Sequence, residues 1–438
     1  MAGQACGVNL SNLSQWLETI QALHPSEIEL GLQRVSAVAD RLGLTRPAPL
    51  VITVAGTNGK GSTVAMLDAI LSAAGYRTGT YTSPHLLVFN ERVRILGRMA
   101  TDEELCDCFA LIEARRGDIS LTYFEFSTLA GLMLMERARL DVAVLEVGLG
   151  GRLDAVNMVD ADLTIVTSIG LDHQDWLGDN REDIGREKAG IFRSGIPAVS
   201  GDADTPQSIV LEASRLGAPL YRQGMDFGFT AQSAGWHWWG KDKSGTGMTL
   251  QDLPRPPLDL INAATVLQAL ALQPLRVPES AIAAGLQSVT LAGRFQALRD
   301  PRHGVAVRVD VAHNPHAAEL LAQKLLAMRA SGELQGQVRA VLAMMADKDQ
   351  AGFYGVLESV VDIWYIAAFA QPRCLPARSL HERLEELGAK VSGPFDTVAE
   401  AYAQACAQAG PEDLVLVTGS FGTVADVLQY IAYIESNS

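Results

Sequence analysis

The chain has 438 residues, 48% of them hydrophobic, which is long enough for a substantial core and for two or three domains. A formal net charge of −15 argues against bulk attraction to nucleic acid or to an anionic membrane, while small anions can still bind wherever local basic groups and metal ions outweigh that field. No basic segment followed by an apolar core opens the chain, its most apolar stretch (Phe126 to Met135) falls short of the roughly 20 residues that span a bilayer, and its five cysteines (Cys6, Cys106, Cys108, Cys374, Cys406) lack C-x-x-C or zinc-ligand spacing, so a soluble cytoplasmic protein with reduced packing cysteines is expected.

In chain order, Leu10 to Leu23 carries helical apolar spacing with Ser14 available as a cap, and Leu32 to Leu42 forms a second helix after the loop around Pro25 and Gly31. Leu50 to Leu71 then reads as strand, phosphate loop and helix. A β-branched apolar run stops at Gly56, a glycine-rich turn carries Lys60, Ser62 and Thr63, and Val64, Leu67 and Leu71 recur at helical spacing. Such a turn lets the backbone approach a polyphosphate, with a helix N-terminus and a lysine supplying positive potential. As a Walker pattern the spelling is imperfect, since position 54 is Val rather than Gly. The alternative is a glycine-rich turn with a solvated lysine. Arg77 to Thr82 reads as a short strand ending at Ser83-Pro84, Thr101 and Glu104 form a capping box for the next helix, and Phe124 to Arg137 reads as a buried helix.

Asp141 to Val147 and Leu163 to Ile169 are near-continuous apolar runs, as strands buried on both faces should be. In an open parallel α/β sheet ligands sit outside the carboxyl ends of the strands, where Lys60, Ser83, Glu146 and His173 all fall. Hydroxyl, carboxylate and imidazole there are candidate magnesium ligands beside phosphate oxygens; singly, they could equally be a turn, a core ion pair and a loop histidine. Asp179 to Arg193 reads as a charged helix ending at Gly190, by itself a solvated face with Lys188 paired to Asp183 or Glu187. Strand and helix return over Ile196 to Ser200 and Ser208 to Leu216. Phe227 to Leu250, with Trp236, Trp238 and Trp239, alternates like a small antiparallel excursion with packing tryptophans, and Leu260 to Leu272 is a helix with Asn262 near its start.

Around Gly293 to Gln296 the alternation restarts, so residues 1–292 and 299–438 are expected as separate domains. In the second, Val305 to Val311 precedes a helix from Pro315 with Asn314 as its cap, Val338 to Met344 precedes a helix near Phe353, Ile363 to Phe369 precedes Ser379 to Leu387, and Leu414 to Thr418 precedes Thr423 to Ile434. Polar residues again gather at strand ends, at Asp310 to Asn314 and at Thr418 to Thr423.

GTNGKGS resembles the ATP loop of the Mur ligase superfamily, whose members join an amino acid to a carboxylate. The motifs GTNGKGST, SPHL with NERV, LEVGLGGRLDAVN, the LDH of GLDHQDWLG, EKAGI, GRFQ, DVAHNP and TGSFGTV, in this order across nearly the whole chain, resemble folylpolyglutamate synthases/dihydrofolate synthases. HPSEIELGLQRV resembles the loop with which bacterial bifunctional members hold dihydropteroate. The resemblance implies an N-terminal P-loop ATPase domain of Mur ligase type and a smaller C-terminal Rossmann-like α/β domain. It implies ATP as substrate, magnesium in two sites with allowance for a monovalent cation, and dihydropteroate, reduced folates and L-glutamate as partners of a monomer.

Residue by residue, the resemblance assigns Gly59, Lys60, Gly61 and Ser62 to the ATP phosphates and Asn262, Arg294 and Asp310 to the rest of ATP. Ser83, Glu146 and His173 become magnesium ligands, and Lys188 matches a lysine that is carbamylated. Glu29, Leu30 and Gly31, with Thr122, Tyr123, Phe124 and Glu125 and with Leu153, Asp154 and Ala155, line the pteridine site. His313 and Ser420 lie where glutamate is expected. Lys60 and Arg92 are the charge stabilisers for the phosphoryl transfer such a ligation needs. A cell-wall Mur ligase shares the reaction type, but the two-domain length and the HPSEIELGLQRV loop speak against it. A regulatory NTPase would explain the phosphate loop and not a second domain with its own polar strand ends.

Overall fold

A computed structural model describes residues 12–26, 28–232 and 234–437. Cys6, the start of the first expected helix and Glu27 lie outside them. The chain divides into two compact units, one running to Gly170 and resuming over Asp175–Thr290, the other made of Leu171–Gln174 and Leu291–Ser438.

The first unit is built on an eight-stranded sheet whose strands are β1 (Leu50–Ala55), β2 (Thr78–Tyr81), β3 (Val93–Ile95), β4 (Arg98–Met99), β5 (Val142–Glu146), β6 (Leu163–Val166), β7 (Ala198–Ser200) and β8 (Leu220–Arg222). Their order is β4-β3-β2-β5-β1-β6-β7-β8, parallel except for the β3 and β4 edge. β1, β5 and β6 are wholly buried, which is why each reads as an unbroken apolar run. They lie side by side, so residues leaving their carboxyl ends are neighbours. Tyr123–Ala138 is a buried helix, and Thr101 and Thr122 each close a capping box, with Glu104 and Glu125.

Three expectations for this unit need correction. The first helix is Leu13–Ala22 and its cap is Asn12, which accepts from the Gln15 N–H, so Ser14 lies within the first turn. The charged helix, Arg181–Ala189, is not a solvated face, because Ile184, Gly185, Lys188 and Ala189 are buried. Of the tryptophans in the antiparallel excursion, formed by β9 (Gly228–Ala231), β10 (Trp236–Lys241) and β11 (Gly247–Leu253), Trp236 and Trp238 are buried and Trp239 is exposed.

The second unit carries β12 (Gln296–Arg299), β13 (Ala306–Val309), β14 (Val338–Leu342), β15 (Ile363–Ile366), β16 (Val391–Ser392) and β17 (Leu414–Thr418) in the order β12-β13-β17-β14-β15-β16. Only β12, which pairs with β13, runs antiparallel. Its core joins Leu321 and Leu325 of the Pro315–Ser331 helix to Leu342, Phe353, Trp364 and Leu416. Asn314 caps that helix by accepting from the Ala317 N–H at 2.9 Å, with Pro315 at its first position. Helices Glu279–Ser288 and Val398–Ala407 and the short edge strands carry no signal that sequence reading picked out.

Candidate active site

β1 delivers the chain at Gly56 into a tight loop that turns into the Lys60–Ala73 helix. The Asn58 carbonyl is fixed by the hydroxyls of Thr167 (2.7 Å) and Ser168 (3.0 Å), which leave the end of the neighbouring β6. Gly59 caps the helix at φ 89° and ψ −8°, and a Cβ there would lie 2.5 Å from Asn262 Oδ1, so both backbone and space require glycine. Lys60 Nζ donates to the carbonyls of Gly56 (3.0 Å) and Thr57 (3.2 Å). Lys188, only 4% exposed, donates to the same Gly56 carbonyl at 3.0 Å. Lys60 and the N-terminus of a 14-residue helix thus share one loop, with Lys188 buried against its first residue and Ser62 buried in the helix's first turn. That is strong local positive potential in a chain of net charge −15.

On the other side of β1, β5 ends in Glu146, which is 4% exposed. The Ser83 N–H, just beyond β2, donates to its Oε2 at 3.4 Å. Nearby, Arg92 is buried with its guanidinium 5.4 Å from the ring centres of both Phe89 and Tyr123. Its Nε donates to His85 Nδ1 at 3.0 Å. Burial, and then the Arg92 charge, push the His85 imidazole down to about 4, so it serves Arg92 as a neutral acceptor. His173 is exposed, with a left-handed backbone at φ 52°.

The segments assigned to the pteridine meet in the first unit. The Gly31 N–H donates to the Leu153 carbonyl at 3.1 Å, joining the 29–31 and 153–155 stretches. Asp154 is 2% exposed and accepts backbone N–H bonds from Leu149 and Val156, each at 2.9 Å. Burial pushes its carboxyl up to about 6, against those backbone donors and the charge of Lys60. Phe124 packs on Gly148, where a Cβ would come within 2.6 Å of its ring. Thr122 and Glu125 are spent on the capping box, with the Thr122 N–H 2.7 Å from Glu125 Oε2. Glu29 is held by His24 Nε2 at 2.7 Å and by Arg34.

In the second unit Asp310 accepts from the N–H groups of Phe295 (2.8 Å) and Ala312 (2.9 Å), and burial raises its carboxyl despite the nearby charges of Lys324 and Arg294. The Arg294 guanidinium lies 5.2 Å from the Phe421 ring centre. His313 donates from Nδ1 to the Val311 carbonyl at 2.8 Å and turns Nε2 toward Asp172 Oδ2 at 3.3 Å. The Ser420 hydroxyl accepts from the Thr423 N–H at 2.9 Å, capping the last helix. Asp172 joins His313, Asn314 (3.0 Å) and Lys348 (2.6 Å). Burial alone would raise it, but His313, Lys348 and His173 hold its carboxyl well below the usual range.

The Mur ligase middle domain matches residues 54–205, and the Mur ligase, glutamate ligase domain matches residues 293–421. The dihydrofolate synthase/folylpolyglutamate synthase of Escherichia coli is 50% identical over 422 residues, covering 96% of each chain. The chain belongs to the dihydrofolate synthase/folylpolyglutamate synthase family. It is therefore an ATP-dependent ligase of the Mur ligase fold. Escherichia coli FolC in complex with DHPP and ADP superposes with a TM-score of 0.91 at 50% identity, covering 97% of this chain and 99% of that one. A bifunctional folylpolyglutamate synthase/dihydrofolate synthase with Mn, AMPPNP and L-glutamate bound gives 0.87 at 49% identity, covering 96% and 98%. Within this family framework, sequence reading left out Arg34, Asp172 and Lys348. Asp172 stood in the LDH triplet and Lys348 between two aspartates, a spacing that suggests only a solvated charge run.

Proposed function

We propose that this chain joins L-glutamate to dihydropteroate, forming dihydrofolate, and to reduced folates, forming folylpolyglutamates, with ATP cleaved to ADP and phosphate. The observation that supports the reading is one unit holding both a glycine-rich loop with Lys60 at a helix N-terminus and, tied together by the Gly31–Leu153 and Arg34–Glu125 hydrogen bonds, the segments 29–31, 122–125 and 153–155 that this reading gives to the carboxylate substrate. A carboxylate is a poor electrophile, so its oxygen first takes the γ-phosphoryl group and ADP leaves. The glutamate amine then attacks the acyl phosphate carbon, and the tetrahedral oxyanion collapses with expulsion of phosphate. The protein positions the reactants and neutralises charge.

Gly59, Lys60, Gly61 and Ser62 hold the phosphates in this reading, with Asn262, Arg294 and Asp310 on the rest of ATP. Lys60 and Arg92 face the charge that develops during transfer, and His313 and Ser420 receive glutamate. Glu29–Gly31, Thr122–Glu125 and Leu153–Ala155 receive the pteridine. Ser83 and Glu146 offer hard oxygen donors at neighbouring strand ends, and among the described residues no three His, Cys, Asp or Glu side chains cluster closely enough to cage an ion. That donor set suits a hard divalent ion completed by phosphate oxygens and water. Ser83, Glu146, His173 and a carbamylated Lys188 would hold magnesium, which when bound neutralises phosphate charge. For Lys188 the neutral amine adds to carbon dioxide and gives up a proton, becoming a carboxylate on a long arm. Its burial beside the phosphate loop supports this; a solvated lysine would have no such use.

Purified protein with ATP, magnesium, labelled glutamate and either dihydropteroate or tetrahydrofolate should form labelled amide, with ADP and phosphate released. Incorporation with neither acceptor, but with a uridine-linked peptide, would overturn the assignment. Lys188→Ala should be nearly inactive and partly restored by small carboxylic acids; normal turnover would end the carbamate proposal and leave the ligase reading standing. The enzyme acts as a cytoplasmic monomer in this reading, and light scattering at 46.9 kDa would support the oligomeric part of it.

A further inference from the structure

Arg34 stands outside every role assigned so far, yet it ties together two of the segments assigned to the pteridine. Its Nη1 donates to the Glu29 carboxylate, and its Nη2 donates both to the Glu29 carbonyl at 2.9 Å and to Glu125 Oε1 at 3.2 Å. Glu125 is 2% exposed and also closes the capping box that starts the Tyr123–Ala138 helix. One planar guanidinium therefore grips both the backbone and the side chain of Glu29 and bolts them to the helix N-terminus 91 positions away. From the other side, His24 bridges Glu29 Oε2 (2.7 Å) and the Ser120 hydroxyl (2.9 Å), so the loop is pinned twice to the approach of the same helix. Gly31 then passes the constraint on to Leu153 through its N–H.

The remaining guanidinium donor, Arg34 Nε, is buried and has no acceptor among the described residues. Leaving a buried donor unmade is costly, so the side chain holds this pose through its other bonds. A lysine could not reproduce them, because it presents a point charge and not a fork.

We propose that Arg34 is a positioning residue: it preforms the 29–31 wall of the pteridine site and thereby sets affinity for the pterin substrate, without acting on the triphosphate. The proposal rests on the pteridine assignment made above. A wall that is already ordered does not have to be ordered at the moment of binding, so its loss appears mainly in substrate affinity. Because the network belongs to the pteridine segments and not to the phosphate loop, ATP affinity stays as it was.

The test measures dihydropteroate KM, ATP KM, kcat and the melting temperature for wild type, Arg34→Gln and Arg34→Lys. Arg34→Gln should raise the dihydropteroate KM at least about tenfold, with ATP KM and saturating kcat within about threefold of wild type. Arg34→Lys should fall between the two, because it keeps the charge and loses the fork; this variant also decides the matter if Arg34→Gln does not fold. A variant that melts lower while keeping a wild-type dihydropteroate KM would make Arg34 merely structural and overturn the proposal. So would equal losses in both KM values, or a wild-type KM in Arg34→Lys. Failure of the underlying reading looks different, since the wild-type enzyme itself would then form no product from dihydropteroate.

Discussion

Gly59→Ala tests the geometry of the phosphate loop in two separable parts. At φ 89° and ψ −8° the added methyl puts an L-residue in the left-handed region, which costs about 1–2 kcal/mol. The same methyl would lie 2.5 Å from Asn262 Oδ1 and 3.0 Å from its Cγ, closer than real Cβ contacts come. Asn262 must swing off its rotamer, adding about 0.5–1.5 kcal/mol. Together the two parts come to about 1.5–3.5 kcal/mol, and at about 2–4 °C per kcal/mol for a domain of this size the unit's calorimetric transition should drop by roughly 3–14 °C. The parts separate in a double-mutant cycle. In Gly59→Ala/Asn262→Ala the collision is gone and the backbone strain remains, so the double variant should be less destabilised than the two single effects added, by about 1 kcal/mol. Strict additivity would mean that Asn262 does not press on the loop, and an unchanged melting temperature in Gly59→Ala would refute the backbone argument as well.

Lys60→Ala should lower kcat by about 10³-fold with the fold intact, since in the proposed reading it removes the charge that stabilises the transferring phosphoryl group; near-normal turnover at saturating ATP would show the lysine to be a bystander. Asp172→Asn leaves the ammonium of Lys348, 9% exposed, without its 2.6 Å carboxylate partner, and should destabilise the second unit by about 3 kcal/mol in calorimetry; a shift below about 0.5 kcal/mol would mean that the pair contributes little. The Asp154 carboxyl stands at about 6 in the fold against an ordinary 3.8. A raised folded value means that its contribution is present below pH 3.8 and is lost as pH rises through about 6. At about 1.4 kcal/mol for each tenfold change in proton affinity, wild-type stability relative to Asp154→Asn should fall by about 3 kcal/mol between about pH 4 and pH 7 in urea titrations. A difference that does not change with pH would count against it.

How much of this was legible depends on how local the cause is. The buried strands β1, β5 and β6 announce themselves because both of their faces are covered, and the phosphate loop because its glycines are required by backbone geometry within a few residues. The short strands β3, β4, β12 and β16, at or next to a sheet edge, are two to four residues long and partly exposed, so they carry neither the length nor the apolar pattern of a strand. The Ser83–Glu146 contact was foreseeable because parallel pairing puts neighbouring strand ends side by side. Arg34 and Lys348 were not, because their meaning lies in partners 91 and 176 positions away. No periodicity in one sequence encodes which acidic residue a basic one will meet across the fold.

Lys188 shows that the right local signal can be present and hidden by a coarser one. The Arg181–Ala189 helix is rich in charge, and counting charges makes it a solvated face. Spacing says otherwise: Ile184, Gly185, Lys188 and Ala189 form one stripe, with Lys188 four residues after the isoleucine and three after the glycine, and all four are buried. Gly185 lets the helix approach its neighbour so closely that a Cβ would meet the Ser208 hydroxyl at 2.7 Å. The helix's acids are committed to other groups, Asp183 to Arg186, Glu187 to Arg152, and Glu182 to the N–H groups of Gln207 and Ser208. A lysine placed on such an inward stripe needs a polar destination, because a buried ammonium without one is costly. Here the stripe carries it to the Gly56 carbonyl, where the phosphate loop begins. An inward-facing lysine on a helix that otherwise spends its charges at the surface is thus a burial signal that helical spacing alone could have raised.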